Sequence, residues 1–160
     1  MEDQGPLPAQ IAAELSERVV GQDEAVREVS IALAKRLAGL RTGNILMIGS
    51  SGTGKTTLMR AVEDYLGADS TWADKALLIR VHANVLAEQA EEGRGGEVLL
   101  QRLLDQARQA MGREVGIDGL LDRVGKGVVF VDEIDKIRAA VGDQPNVPGI
   151  RAQESLLTLI

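Results

Sequence analysis

The chain has 160 residues, 44% hydrophobic and 26% charged, which is enough apolar material for one globular domain with a packed core. A net charge of -6 counts against nucleic acid as a general partner, and the absence of cysteine excludes disulfides, thiolate metal sites and thiol nucleophiles. No apolar stretch approaches the roughly 18 residues that cross a bilayer and the acidic N-terminus lacks a signal-peptide pattern, so a soluble, cytoplasmic protein without a membrane partner is expected.

Gly5, Pro6 and Pro8 make the first eight residues a loose lead-in, and Ile11 to Leu15 suggests a short helix. Val19-Val20-Gly21-Gln22 reads as an extended apolar pair followed by a turn. Asp23 then caps a helix in which Ala25, Val26, Val29, Ala32, Leu33, Leu37 and Leu40 recur at helical spacing. Arg41-Thr42-Gly43 ends that helix, and residues 1–43 form a unit ahead of a core spanning 44–160. The unbroken apolar run Ile45-Leu46-Met47-Ile48 predicts a strand over Asn44 to Ile48, buried on both faces. G-S-S-G-T-G-K-T at 49–56 follows it and matches G-x-x-x-x-G-K-[ST] at every fixed position. A helix from about Lys55 to Leu66 comes next, with Leu58, Met59, Val62 and Leu66 on one face.

Gly67 to Lys75 is a connector, and Ala76 to Ala83 reads as the second strand. Glu88 to Gly96 is acidic and glycine-rich and predicts an exposed loop. An amphipathic helix begins near Glu97 and carries Val98, Leu99, Leu103, Leu104, Ala107 and Met111. Residues 112–127 are interrupted by glycines and predict irregular chain. Val128 to Val131 is the third strand, Asp143 to Gly149 a proline-containing loop, and Leu156, Leu157 and Ile160 belong to a last helix. Strands alternating with helices predict a parallel α/β sheet. Tyr65, Phe130 and the lone His82 are expected to pack, as is Trp72 in its connector.

Phosphoryl transfer to water needs neutralised phosphates, a metal and a positioned water. The loop 49–56 offers these in part: the backbone of Ser51, Gly52, Thr53 and Gly54 to wrap phosphates, and Lys55 to reach the outer ones. Thr56 supplies a hydroxyl for Mg²⁺, and Thr57 packs or caps at the end of the cofactor-binding set. In V-V-F-V-D-E, four apolar residues carry Asp132 to the carboxyl end of a buried strand, where ligands of open α/β sheets bind. Asp132 is expected to hold Mg²⁺ through water, and Glu133 to orient or deprotonate the attacking water. Lys55 and Glu133 are thus the catalytic pair. No N-K-x-D string occurs, so the usual guanine-reading signature is missing and ATP or ADP is the expected nucleotide.

With both motifs placed, the chain resembles the AAA+ ATPases, most of all their ClpX and HslU branch. V-V-G-Q-D-E-A-V at 19–26, G-S-S-G-T-G-K-T at 49–56, V-F-V-D-E-I-D-K at 129–136 and Q-E-S-L-L-T-L-I at 153–160 carry the resemblance. It implies a P-loop NTPase sheet flanked by helices, with Val19, Val20, Gly21 and Gln22 against the base. It further implies Mg²⁺-dependent ATP hydrolysis coupled to remodelling of a protein partner, in a homo-oligomeric ring. Two other readings follow from the same motifs: a nucleotide-gated interaction module with little turnover, and a DNA-associated motor. Three departures stand out. Ala90-Glu91-Glu92-Gly93 has a glutamate where ClpX-like unfoldases place a substrate-gripping aromatic residue, and the connector 67–75 is longer than their pattern. The chain also stops ahead of the family's later strands, sensor residues, arginine finger and lid, so the sheet is expected to be incomplete at the C-terminus. Asn84 at a strand end reads as a turn former, the resemblance offering a residue that holds the catalytic Glu133 inactive as the alternative, and Arg94, Arg138 and Arg151 read as facing either a neighbouring subunit or solvent.

Overall fold

Ile11 and Leu15 stand four residues apart, and in the computed structural model both are fully buried on one face of α1 (Pro8–Ser16). The structure describes residues 5–68, 77–83, 85, 95–111, 116–134, 137 and 140–157. The sequence readings at Trp72, Asn84, Arg138 and residues 88–94 of the acidic loop expected at 88–96 lie outside them, while Gly95 and Gly96, expected in that loop, open the helix at Gly95–Met111. The chain divides into two compact units, 1–76 and 77–160.

In the first unit, α1 packs against both α2 (Asp23–Leu37) and α3 (Lys55–Ala68). Pro8 opens α1 where its missing N–H is harmless, and Gln10 Oε1 accepts the Leu7 N–H at 3.0 Å. The apolar stripes read from the sequence meet here: Ile11 and Leu15 with Val26, Val29 and Leu33 of α2 and Leu58, Val62, Tyr65 and Leu66 of α3, all buried. Tyr65 packs, as expected. An ion pair between Arg18 and Asp64 joins the turn after α1 to α3; both side chains are exposed, so it adds little stability. Ile11→Ala should destabilise this unit by about 3 kcal/mol through the lost contacts and the void left behind. A lower denaturant midpoint with an unchanged m-value would show it.

Three expectations fail in this unit. α2, read as running to Leu40, ends at Leu37 and leaves Leu40 58% exposed. Asp23 is the first residue of α2 and not its cap; the cap position is Gln22, whose side chain makes no capping bond. Asn44 to Ile48 is not a strand but irregular chain, with Ile45, Leu46 and Ile48 exposed at 47%, 69% and 87%. An apolar run becomes a buried strand only when neighbours satisfy its backbone on both sides, and among the described residues none pairs with it.

The second unit centres on β1 (Leu78–His82) and β2 (Val128–Asp132), paired in parallel from Leu78↔Val128 to His82↔Asp132. The crossover between them runs through α4 (Gly95–Met111) and α5 (Ile117–Gly125), as parallel strands require. Leu99, Leu103 and Ala107 of α4 pack with Ile79, Val81, Leu120, Val124 and Ile137 into one core. Gln106 Nε2 of α4 donates to the Leu78 carbonyl at 2.9 Å, fastening helix to strand. A short antiparallel pair, β3 (Ala140–Val141) with β4 (Gln144–Pro145), precedes α6 (Val147–Leu157).

Here too the structure corrects the sequence reading. Residues 117–125 form a helix where irregular chain was expected: Ile117, Leu120, Leu121 and Val124 keep the i, i+3, i+4, i+7 spacing, and Gly119 is tolerated inside it. The loop expected at 143–149 contains β4 and the first turn of α6, which accepts Pro148 because that turn has no intrahelical N–H bonds to lose. The architecture is α/β, as read from the sequence, with a parallel pair and helices packed on it.

Candidate nucleotide site

The phosphate-binding loop belongs to the first unit, and its shape is set by its own backbone. Gly52 (φ 82°) and Gly54 (φ 90°) occupy the left-handed region that side chains disfavour, so glycine is a conformational requirement at the fixed position Gly54 and also at Gly52, a variable position of the motif. Thr53 N–H and Oγ1 both donate to the Ser50 carbonyl, at 3.4 and 2.9 Å, closing the turn. Lys55 Nζ then donates to the carbonyls of Gly49 (2.6 Å) and Ser50 (2.8 Å) and to Thr53 Oγ1 (3.4 Å). The ammonium is therefore centred on the curve of the loop, where phosphate oxygens can compete for its three donors. Lys55 is also the first residue of α3, whose opening N–H groups and dipole favour an anion. Ser51, Thr56 and Thr57 are exposed, with Thr53 and Gly54 half-buried.

The stretch expected against the base divides. Val19 is buried and Val20 is 90% exposed, while Gly21 takes φ 74° at the bend into α2. Gln22 Nε2 donates to the Thr53 carbonyl at 2.9 Å, which brings the first stretch onto the phosphate loop itself.

Asp132 and Glu133 belong to the second unit, at the carboxyl end of β2. Asp132 Oδ2 accepts from Arg80 at 2.7 Å, and Asp132 Oδ1 accepts the Glu133 N–H at 2.9 Å. The Arg80 hydrogen bond chiefly holds the Asp132 carboxyl below the ordinary carboxylate range, against the opposing pull of burial. Glu133 has φ 58°, the one non-glycine residue in the left-handed region among the described residues. The chain thus leaves the extended conformation directly after β2. The Glu133 carboxylate lies 4.0 Å from His82 Nδ1, an ion pair when the imidazole is protonated.

Arg80 and His82 were missed as site residues. Residues i and i+2 of a strand share a face, so A-L-L-I-R-V-H-A did place them together on β1; only the register with β2 shows what they meet. His82 was expected to be packed and is instead exposed beside Glu133, because it is the last residue of its strand.

Mg²⁺ suits this chemistry. Arg80 keeps Asp132 ionised, and each of its oxygens accepts one bond and retains a lone pair for metal-bound water. Among the described residues no group of three or more His, Cys, Asp or Glu side chains could cage a metal. A metal here would draw most of its ligands from phosphate and water, as Mg²⁺ does.

The Arg80–Asp132 pair has a measurable signature. Asp132 titrates lower folded than unfolded (about 3.9), so the stabilisation is complete above that pH and is lost as pH falls through the depressed folded value. Arg80→Met should lower stability by about 1–2 kcal/mol at pH 7. Denaturation of parent and variant should converge as the pH falls below the ordinary carboxylate range.

Residues 45–160 match the family described as "ATPase family associated with various cellular activities (AAA)". The chain is 36% identical over 170 aligned positions to the ATP-dependent Clp protease ATP-binding subunit ClpX of Bacteroides thetaiotaomicron, covering 97% of this chain and 36% of that protein. It is 35% identical to the ClpX subunit of Bacteroides fragilis, with 97% and 36% covered. For the ClpX subunit of Porphyromonas gingivalis the identity is 34%, with 97% and 37% covered. The chain thus spans little more than a third of the length of these relatives.

Proposed function

The chain belongs to the AAA ATPase family, and from that premise we propose that it binds ATP and hydrolyses it with Mg²⁺, coupling the cycle to remodelling of a protein partner. The observation that carries this reading is the loop at 49–54 curled around the Lys55 ammonium at the start of α3. Lys55 binds the outer phosphates, and the backbone of Ser51, Gly52, Thr53 and Gly54 wraps the rest, with Thr57 beside them. Thr56 and Asp132 are assigned to Mg²⁺, which when bound neutralises phosphate charge. Glu133 accepts a proton from the attacking water or orients it. Val19, Val20, Gly21 and Gln22 are assigned to the base, with residues 1–43 contributing that part of the site to a core at 44–160. Relatives named as ATP-binding subunits of an ATP-dependent protease support a protein substrate and assembly with other subunits; a homo-oligomeric ring and a cytoplasmic setting belong to the same proposal. Among the described residues, no helix is long and apolar enough to cross a membrane.

Phosphate release from Mg·ATP tests the proposal. Release that disappears when Mg²⁺ is chelated supports hydrolysis. Tight binding without release would contradict it in favour of a nucleotide-gated interaction module.

A further inference from the structure

Gln22 occupies the cap position of α2, yet its side chain does not cap the helix. The half-buried amide reaches 31 residues along the chain and donates to the Thr53 carbonyl at 2.9 Å. Its stem lies along the loop, with Cγ 3.6 Å from where a Cβ on Gly54 would stand. Thr53 is already fixed on its other side by two bonds to the Ser50 carbonyl.

The geometry points to Gln22 as a positioning residue for phosphate binding, one that fixes the orientation of the Thr53–Gly54 peptide. In a trans peptide the carbonyl and the following N–H point in opposite directions. Holding the Thr53 oxygen toward Gln22 therefore aims the Gly54 N–H away from Gln22. Gly54, at φ 90°, lies in a region where glycine can flip its peptide at little cost, so the loop by itself does not enforce one orientation. Gln22 supplies that constraint from α2. The inference rests on the phosphate-site reading above and moves Gln22 from the base to the loop that wraps the phosphates.

Two variants separate these roles in the full chain. Gln22→Met keeps the length and apolar stem without the donor. Gln22→Glu keeps the shape and sets a carboxylate against the Thr53 carbonyl. Each is compared with the parent in its affinity for ATP, GTP and inorganic tripolyphosphate. Gln22→Met should weaken all three by a common factor of about five to ten, and Gln22→Glu by more. A loss confined to ATP, with tripolyphosphate unchanged, would return Gln22 to the base and overturn the inference, as would equal affinities throughout. The Gly54 amide resonance of the nucleotide-free chain gives a second reading. It should shift in both variants, and an unchanged position would overturn the tether. If the parent bound none of the three ligands, the phosphate-site reading would fail, while the Gly54 amide would still decide whether the tether exists.

Discussion

Lys55→Ala should weaken ATP binding by about a hundredfold or more, the loss expected when a charged group loses several hydrogen bonds to phosphate. The variant should remain folded. The buried face of α3 is Leu58, Met59, Ala61, Val62, Tyr65 and Leu66, and none of these depends on the ammonium. What disappears is the cation between the Gly49 and Ser50 carbonyls, leaving two acceptors that repel an incoming phosphate. Helical circular dichroism and the thermal midpoint should stay close to the parent while calorimetric heat from Mg·ATP is lost. Unchanged affinity in a folded variant would remove Lys55 from the phosphate site.

Glu133→Gln should leave ATP affinity within about twofold of the parent and lower turnover by roughly 10²–10⁴, the usual worth of a positioned general base. Glutamine keeps the length of the side chain and the backbone N–H that Asp132 accepts, so the end of β2 is preserved. It cannot take a proton from water. The contact with His82 is lost too, but at 4.0 Å between exposed groups its contribution is small. Hydrolysis at the parental rate would rule out Glu133 as the base.

The parts of this protein legible in the sequence are those encoded within a few consecutive residues. The loop at 49–56 carries its own conformational demands in Gly52 and Gly54, and the D-E pair follows a strand whose four apolar residues announce it. The helices α2, α3 and α4 were legible because their stripes recur every three or four residues. What failed depends on distant partners. Asn44 to Ile48 has a strand's composition but takes irregular form, since pairing comes from elsewhere in a sheet and not from the run itself. The α5 helix was hidden because the glycines in and around it were read as breakers, although Ile117, Leu120 and Val124 kept the helical spacing. Arg80 reaches Asp132 across 52 positions of sequence, a relation set by strand register. Gln22 looked like part of a turn, and its bond to Thr53 spans 31 positions.

One measurement bears most directly on the central claim: calorimetric titration of the purified chain with Mg·ATP, with Lys55→Ala alongside. Saturable binding at about one nucleotide per chain, lost in the folded variant, is the predicted result. Binding of equal strength by parent and variant, or no binding by a folded parent, would contradict the assignment of this loop to phosphate.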